Sequence, residues 1–554
     1  MEQINEGTGS EERIFFVQGT RYIATRSNTD AVLTIPDEFS LATIFMLPKD
    51  QHGEITVDWM RDNVERYKLL DDVFHEAFLA GVIFLCAGEE HVKVTDEAWT
   101  YLLKSGAQWI KYIPALGAGQ NVLPGPCAIS RNRICDVWKL VDDTNGTCMN
   151  ALWPQQGHFK QFHLKSVDGQ SLSVALPSRI KGQAVSGSSI AGWRMLIKDN
   201  IHLQGIKSSL GNKAFYDAYP TQPETAECLK RLIDHGVVIL GKAKMSSFGN
   251  WEEPTDYTDY QAPWNPRGDG YQSPGASSSG CAAAISSYDW LDIAIGTDTL
   301  GIYLPFSSII WPIDFWKIID ADQCTLALQF VKDMESHLYI KHSKISFENV
   351  WSNSLPSEAA GLSLPEYINP ATAALAYDAY HNSDDFRARY LAKFRRQPYT
   401  THPNQKTWGV GKTISKEQRD AGFKRLSIYE HWLTDTILSG EHSNALLVLP
   451  LESMSPRYRD EPPTFKRPPQ DGINTLAFGP VMKSPVLAVP IGEIPYESVV
   501  TKNKEKLPFV IAVMAPPGTD LLLMDSVRST LESAGRPSTV RTGTTMFGAS
   551  GTKI

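Results

Sequence analysis

Two periodicities alternate along this chain of 554 residues. Short β-rich runs occupy 13–25 and 31–46, and the mixed charged and apolar stretch 57–87 reads as helical, ending at Gly88. Residues 95–113 predict a capped helix leading into a strand, with Thr95 at the N-cap and Gly106 as the stop. Together these predict a smaller α+β domain over 1–185, and the Gly/Ser-rich 177–192 reads as a linker. From 186 to 554 the pattern changes. An apolar strand carries Lys198, a helix over 221–235 has Pro223 near its start and Gly236 at its end, and 237–240 is a β-branched strand. A Ser/Gly loop at 273–278 then feeds a small-residue helix, 279–286, and an apolar strand, 291–295. Further helices follow at 324–338, 373–396, 417–438 and 518–534, with strands at 445–449, 484–492 and 507–515. Leu326, Phe330, Met334 and Leu338 make one apolar stripe, which is core packing, and the Pro-rich 454–469 reads as an exposed loop. Strand and helix alternate, so 186–554 is expected to be α/β.

Composition narrows the function. Apolar residues make up 42% and charged residues 21%, the balance of a globular protein, and the formal charge of −9 without a dense Lys/Arg run excludes a nucleic-acid surface. No apolar run is long enough to span a bilayer, and the polar, acidic start of the chain does not read as a secretory signal, so the cytoplasm is expected. Seven scattered cysteines without a CxxC pair read as reduced thiols rather than a disulfide set or zinc site. His52, His75 and His91 are isolated, and His158 and His163 have no cysteine or acidic partner at ligand spacing, so no metal is expected.

The candidate chemistry lies in 273–305, SPGASSSGCAAAISSYDWLDIAIGTDTLGIYLP. A loop with several hydroxyls entering a helix gathers backbone N–H donors and candidate nucleophiles in one place. A flexible linker is the other reading, but linkers do not lead into an Ala-rich helix and a buried strand.

SPGASSSGCAAA resembles the SPGGSSGGSAAA core of the amidase signature family, and GTDT at 296–299 resembles the start of its GTDTGGS turn. IKDNI at 197–201 resembles the strand with that family's catalytic lysine, and GVVILGKAKMSSF at 236–248 its helix–strand–loop connection. The resemblance implies an α/β/α sandwich with a mixed central sheet, preceded here by the smaller α+β domain. It also implies hydrolysis of a small carboxylic amide through an acyl-enzyme, without metal or cofactor. Carried over by position, Lys198 is the base and Ser277 the relay serine in a cis peptide, with Ser278 as a supporting or relaying neighbour. A serine hydroxyl needs a base at neutral pH, and a lysine serves when burial favours its neutral form. Backbone N–H groups around Thr297, Asp298 and Thr299 would form the oxyanion turn. Without the resemblance, Lys198 also reads as a surface lysine and Ser277 as an N-cap.

The nucleophile departs from the family pattern. Where the family has GTDTGGSIRxP, this chain has GTDTLGIYLP, so Gly301, or Ile302 counting from Gly296, occupies the serine's place. Tyr303 replaces the following arginine. A core block is expected to be missing near 300–311, because SSIIWPIDFWKIIDADQ follows at once. That segment resembles a downstream part of fungal amidase-like proteins with an N-terminal extension, some labelled scytalone-dehydratase-like. Thr299, Ser307 and Ser308 are the hydroxyls available to substitute. Three functions follow: an amidase with a displaced nucleophile, an inactive amidase-like binding protein, or a repurposed enzyme of fungal secondary metabolism. The expected partner is a small-molecule amide or ligand. Oligomeric state is not legible from one chain.

Overall fold

In the computed structural model, residues 12–27, 29, 31–35, 37–47, 54–86, 92–114, 122–153, 159–297, 306–461 and 473–547 are described. The chain forms two compact units, one of 1–208, 221–244 and 289–295, the other of 209–220, 245–288 and 296–554. Both are mixed α/β.

Among the described residues, the first unit holds two large sheets and a two-stranded one, Glu54–Ile55 with Lys93–Val94. An eight-stranded sheet runs in the order Glu12–Val17, Thr20–Arg26, Arg133–Asp142, Gly125–Ser130, Phe39–Met46, Gly81–Cys86, Trp109–Pro114, with Ser173–Leu176 also on Arg133–Asp142. Phe39–Met46, Gly81–Cys86 and Trp109–Pro114 are parallel to one another, and the remaining pairs are antiparallel. The helix after Thr95 is as expected: the Thr95 hydroxyl accepts from Ala98 N–H, Asp96–Lys104 is helical, and Gly106 follows at φ 96°. The helical reading of 57–87 holds only for Val57–Leu70 and the short turn Glu76–Ala80. Gly81–Cys86 is a strand, paired on both edges and buried throughout, so it shows none of the alternation that marks a half-buried strand.

The second sheet of this unit has five strands: Lys160–Phe162, Cys148–Trp153, Val238–Ala243, Arg194–Lys198, Ile293–Ile295. Arg194–Lys198 is an interior strand, next to the edge strand Ile293–Ile295, and parallel to both neighbours. Every residue in it is buried, which gives a short run with no polar face. The helix beside it begins at Glu227 rather than 221, because 222–226 is tied to 202–206 by backbone bonds such as Gln222 N–H to Ile206 O (3.0 Å) and Ala226 N–H to His202 O (3.0 Å).

The second unit is built on another five-stranded mixed sheet, His342–Ile345, Ser308–Pro312, Ala445–Pro450, Lys504–Met514, Val486–Glu497. Its core gathers Ile309, Ile310, Phe330, Trp351, Leu447 and Ile511, all within 1% exposure. Phe330 and Met334 of the Ala321–Leu338 helix join this core, whereas Leu326 and Leu338 of the same stripe are only partly buried against it. The single helix expected over 373–396 is two, Leu364–His381 and Asp384–Phe394. The break falls where Asn382 ends one helix and two aspartates open the next. Residues 454–461 are not a loose loop. Tyr458 is 7% exposed, and Arg457 is ion-paired to Glu253 (3.0 Å) and Glu452 (2.5 Å).

The expected linker is also ordered. Ser178 caps a helix, Arg179–Val185, whose Arg179 pairs with Asp292 (2.6 Å) and Lys181 with Asp136 (2.6 Å). Gly182 sits against Gly192, so that a Cβ there would meet Gly192 Cα at 2.4 Å. Backbone cannot yield as a side chain can. Gly182→Ala should therefore destabilise by about 1–3 kcal/mol, whereas Gly187→Ala, with nothing within 4 Å, should be near neutral. Urea midpoints check this, and equal midpoints would mean that the helix is loosely held.

Candidate functional site

Lys198 ends an interior strand of the first unit's five-stranded sheet and is 1% exposed, so it is not a surface lysine. The sheet brings a second buried cation beside it. Lys242, 0% exposed, pairs in register with Ile197, next to Lys198, on the neighbouring parallel strand. Its Nζ lies 3.1 Å from Asp199 Oδ1 and donates to Ser208 Oγ at 2.6 Å. Burial pulls the Lys242 ammonium below its usual range, and Asp199 opposes that pull. Asp199 is held in turn through its backbone N–H, which donates to Ala243 O at 3.1 Å. His202 also titrates low, from burial first and then from the Lys242 charge. The Lys242–Asp199–Ser208 group was not singled out in sequence, although its lysine lies in the GKAKM that the resemblance covers.

Ser277 and Ser278 lie in the second unit, both half-buried. The Ala276–Ser277 peptide bond is cis. The Ser277 carbonyl accepts from Ser246 N–H at 3.1 Å, and Ser273 N–H donates to Arg457 O at 3.2 Å, so the loop is fixed at both ends. Ser278 is the N-cap residue of the helix Ser279–Ser287 by backbone, with no side-chain cap bond. That helix buries Ser279, Gly280, Cys281, Ala283 and Ala284. Gly296 packs against Ser278: a Cβ at 296 would lie 2.9 Å from Ser278 Oγ, so glycine lets the chain at 296 come this close. Thr297 next to it is exposed. Asp298, Thr299, Gly301, Ile302 and Tyr303 lie outside the described residues, and so does the first half, 300–305, of the expected gap. Of the substitute hydroxyls, Ser307 donates to Glu441 O (2.8 Å), and Ser308 Oγ is 2.7 Å from His442 Nδ1.

Residues 248–250, just after the Ser246 that bonds the Ser277 carbonyl, form part of the wall of a cavity of about 750 Å³ in this unit, lined by Phe215, Tyr219, Phe248, Asn250, Phe386 and Trp408 among others. Asn404 donates to Ser247 O (2.9 Å) and Asn250 to Thr407 Oγ1 (3.0 Å), which ties 247–250 to the helix His402–Gly411. Just beyond, Glu252 is 3% exposed and accepts from the Thr401 hydroxyl. Burial pushes its carboxyl up to about 7, against the Thr401 and Ser247 hydrogen bonds. Among the described residues no cluster of histidine, cysteine and acidic side chains could hold a metal, and no helix is long and apolar enough to cross a membrane.

Residues 175–305 match the family model described as Amidase. Among curated proteins, it is 36% identical over 115 residues to the A component of the glutamyl-tRNA(Gln) amidotransferase of Agathobacter rectalis, a match covering 20% of this chain and 22% of that protein. The corresponding component from Saccharolobus solfataricus is 33% identical over 124 residues, 22% of this chain and 24% of the relative. The chain thus matches about a quarter or less of the length of these relatives. Among solved structures, 6-aminohexanoate cyclic dimer hydrolase complexed with substrate overlaps 64% of this chain and 87% of its own at 14% identity and a TM-score of 0.47. Kluyveromyces lactis urea amidolyase overlaps 65% of this chain and 24% of its own at 15% identity and 0.49. Overlaps this loose carry no argument about function.

The buried acid gives a pH test. Glu252 has its folded pKa raised from 4.5 to about 7, so it binds more protons folded than unfolded between those values. Its contribution to stability is complete below about pH 4.5 and is lost as pH rises through about 7, by at most ~3 kcal/mol. Glu252→Gln should flatten that fall in urea unfolding curves. An identical slope in the variant would place the titration elsewhere.

Proposed function

We propose that this chain acts on a small carboxylic amide, with Lys198 as the base, Ser277 as the relay serine and Ser278 beside it, and with a hydroxyl other than the family's usual one as nucleophile. The reading is carried by the Ser273–Ser278 loop. Its Ser277 carbonyl is held by Ser246 N–H, and Gly296 closes on Ser278. A reacting hydroxyl must be held within a fraction of an ångström to be productive, and a loop bonded at both ends is suited to that. The 247–250 wall beside it supplies an aromatic cavity with amide and hydroxyl groups, of a size that suits a small ligand. The burial of Lys198 supports a base role, since a buried lysine gives up its proton more readily. Thr297, Asp298 and Thr299 complete the reading as the oxyanion turn, and residues 186–554 as the amidase part behind an N-terminal domain over 1–185.

A second reading is favoured by one observation. Gly301 or Ile302 stands where the family has its serine, so the chain would be an inactive amidase-like protein that binds a small ligand. Removing the nucleophile from such a site leaves only binding and the oxyanion donors.

A serine-directed fluorophosphonate separates the two. The full chain should label on one serine, and Ser277→Ala, folded as judged by its melting curve, should lose the label. Absence of labelling in the wild-type chain would sink the hydrolase and leave the binding protein.

A further inference from the structure

Two arginines of the second unit stand two residues apart and are treated in opposite ways. Arg457 has two carboxylates, Glu253 and Glu452, and lies 5.3 Å from the Trp251 ring centroid. Arg459 has none among the described residues. Its guanidinium carbon lies 3.4 Å over the Trp264 ring, and Nη2 donates to Ala262 O (3.0 Å) and Pro263 O (2.7 Å). Its Nε is enclosed and donates to nothing described. A guanidinium removed from water is costly unless an anion meets it, and its planar fork suits a carboxylate.

The surroundings add a second donor. The Tyr257 hydroxyl is also enclosed and without a partner, near the equally unpartnered Ser279 hydroxyl but outside hydrogen-bond geometry with it. Burial pulls Arg459 down to about 10 and pushes Tyr257 up to about 12, so at neutral pH one is a cation and the other a neutral O–H donor. Tyr257 and Tyr271 are the groups whose charge acts on Arg459. The cluster adjoins the signature loop. Gln272 bridges to Tyr458, Ser273 N–H donates to Arg457 O, and Ser279 opens the signature helix.

We infer that Arg459, with the Tyr257 hydroxyl, forms a carboxylate-binding site beside the Ser277 loop, and that the favoured ligand is an amide whose other end is a carboxylate. The amide half of this statement rests on the hydrolase reading; the carboxylate half does not. The guanidinium is already stacked and tethered by carbonyls, so it is oriented before a ligand arrives, and the anion supplies the acceptor that Nε lacks.

Isothermal titration of the full chain at neutral pH with succinamate, succinate and the uncharged isostere succinamide tests this. Succinamate and succinate should bind about tenfold or more tighter than succinamide, and Arg459→Gln should erase that difference. Since Arg459→Gln also removes the bonds to the carbonyls of 262 and 263, its melting curve is taken alongside. Arg459→Lys keeps the charge but not the fork, and should weaken the two carboxylates while leaving succinamide unchanged. Equal affinities in the wild type, no binding of any of the three, or a carboxylate preference that survives in both variants would overturn the site. Ammonia release separates the two readings. A carboxylate preference without release from succinamate removes the hydrolase alone. Equal release from succinamate and succinamide, unaltered in Arg459→Gln, removes the carboxylate site alone.

Discussion

Charge buried in a parallel sheet is the constraint on which the first unit's candidate residues depend. Arg194, Lys198, Asp199 and Lys242 are all within 1% exposure, on or next to two adjacent strands. Each costs several kcal/mol to desolvate, and such charges persist only where partners are fixed by the fold. Arg194 has its partner in Asp72, met by both terminal nitrogens at 2.6 and 2.8 Å, and Lys242 has Asp199 and Ser208. The register of the strands, Ile197 opposite Lys242 and Lys198 opposite Ala243, therefore cannot slip by one residue without carrying these charges to the wrong face.

In the second unit the corresponding constraint is close backbone approach. Gly211 would place a Cβ 2.5 Å from Met245 O, and Gly296 one at 2.9 Å from Ser278 Oγ. These contacts set Met245 and Gly296 close against their neighbours, and the same 246–250 segment serves both the Ser277 carbonyl and the aromatic cavity. A ligand that moves the cavity wall would thus act on the Ser277 loop through one short piece of chain.

The sequence made some of this legible and hid the rest for physical reasons. The Thr95 cap and Gly106 stop could be read because capping acts over a few adjacent residues. The residues alone left Lys198 open as a surface lysine, and the fold shows it buried at the end of a fully buried strand. The partners of buried charges were not legible either, since Asp199 and Lys242 meet across strands separated by a helix, and nothing local in GKAKM marks its first lysine as an ion-pair member. Gly81–Cys86 failed for a different reason: a strand covered on both faces has no period to detect. The Gly/Ser composition of 177–192 suggested flexibility, but glycine also permits the tight helix–turn contact found there at Gly182 and Gly192. Arg459 stood in a Pro-rich stretch that read as solvent-exposed, and only the fold shows it stacked on Trp264 without a counter-ion among the described residues.

The most direct measurement is ammonia release by the full chain from a panel of primary carboxamides, followed to completion against a no-enzyme control. The account predicts catalytic release that disappears in Lys198→Met, with the variant still giving a cooperative unfolding transition. Release that persists undiminished in the folded Lys198→Met chain would contradict it, because no role for that buried amine in the chemistry would remain.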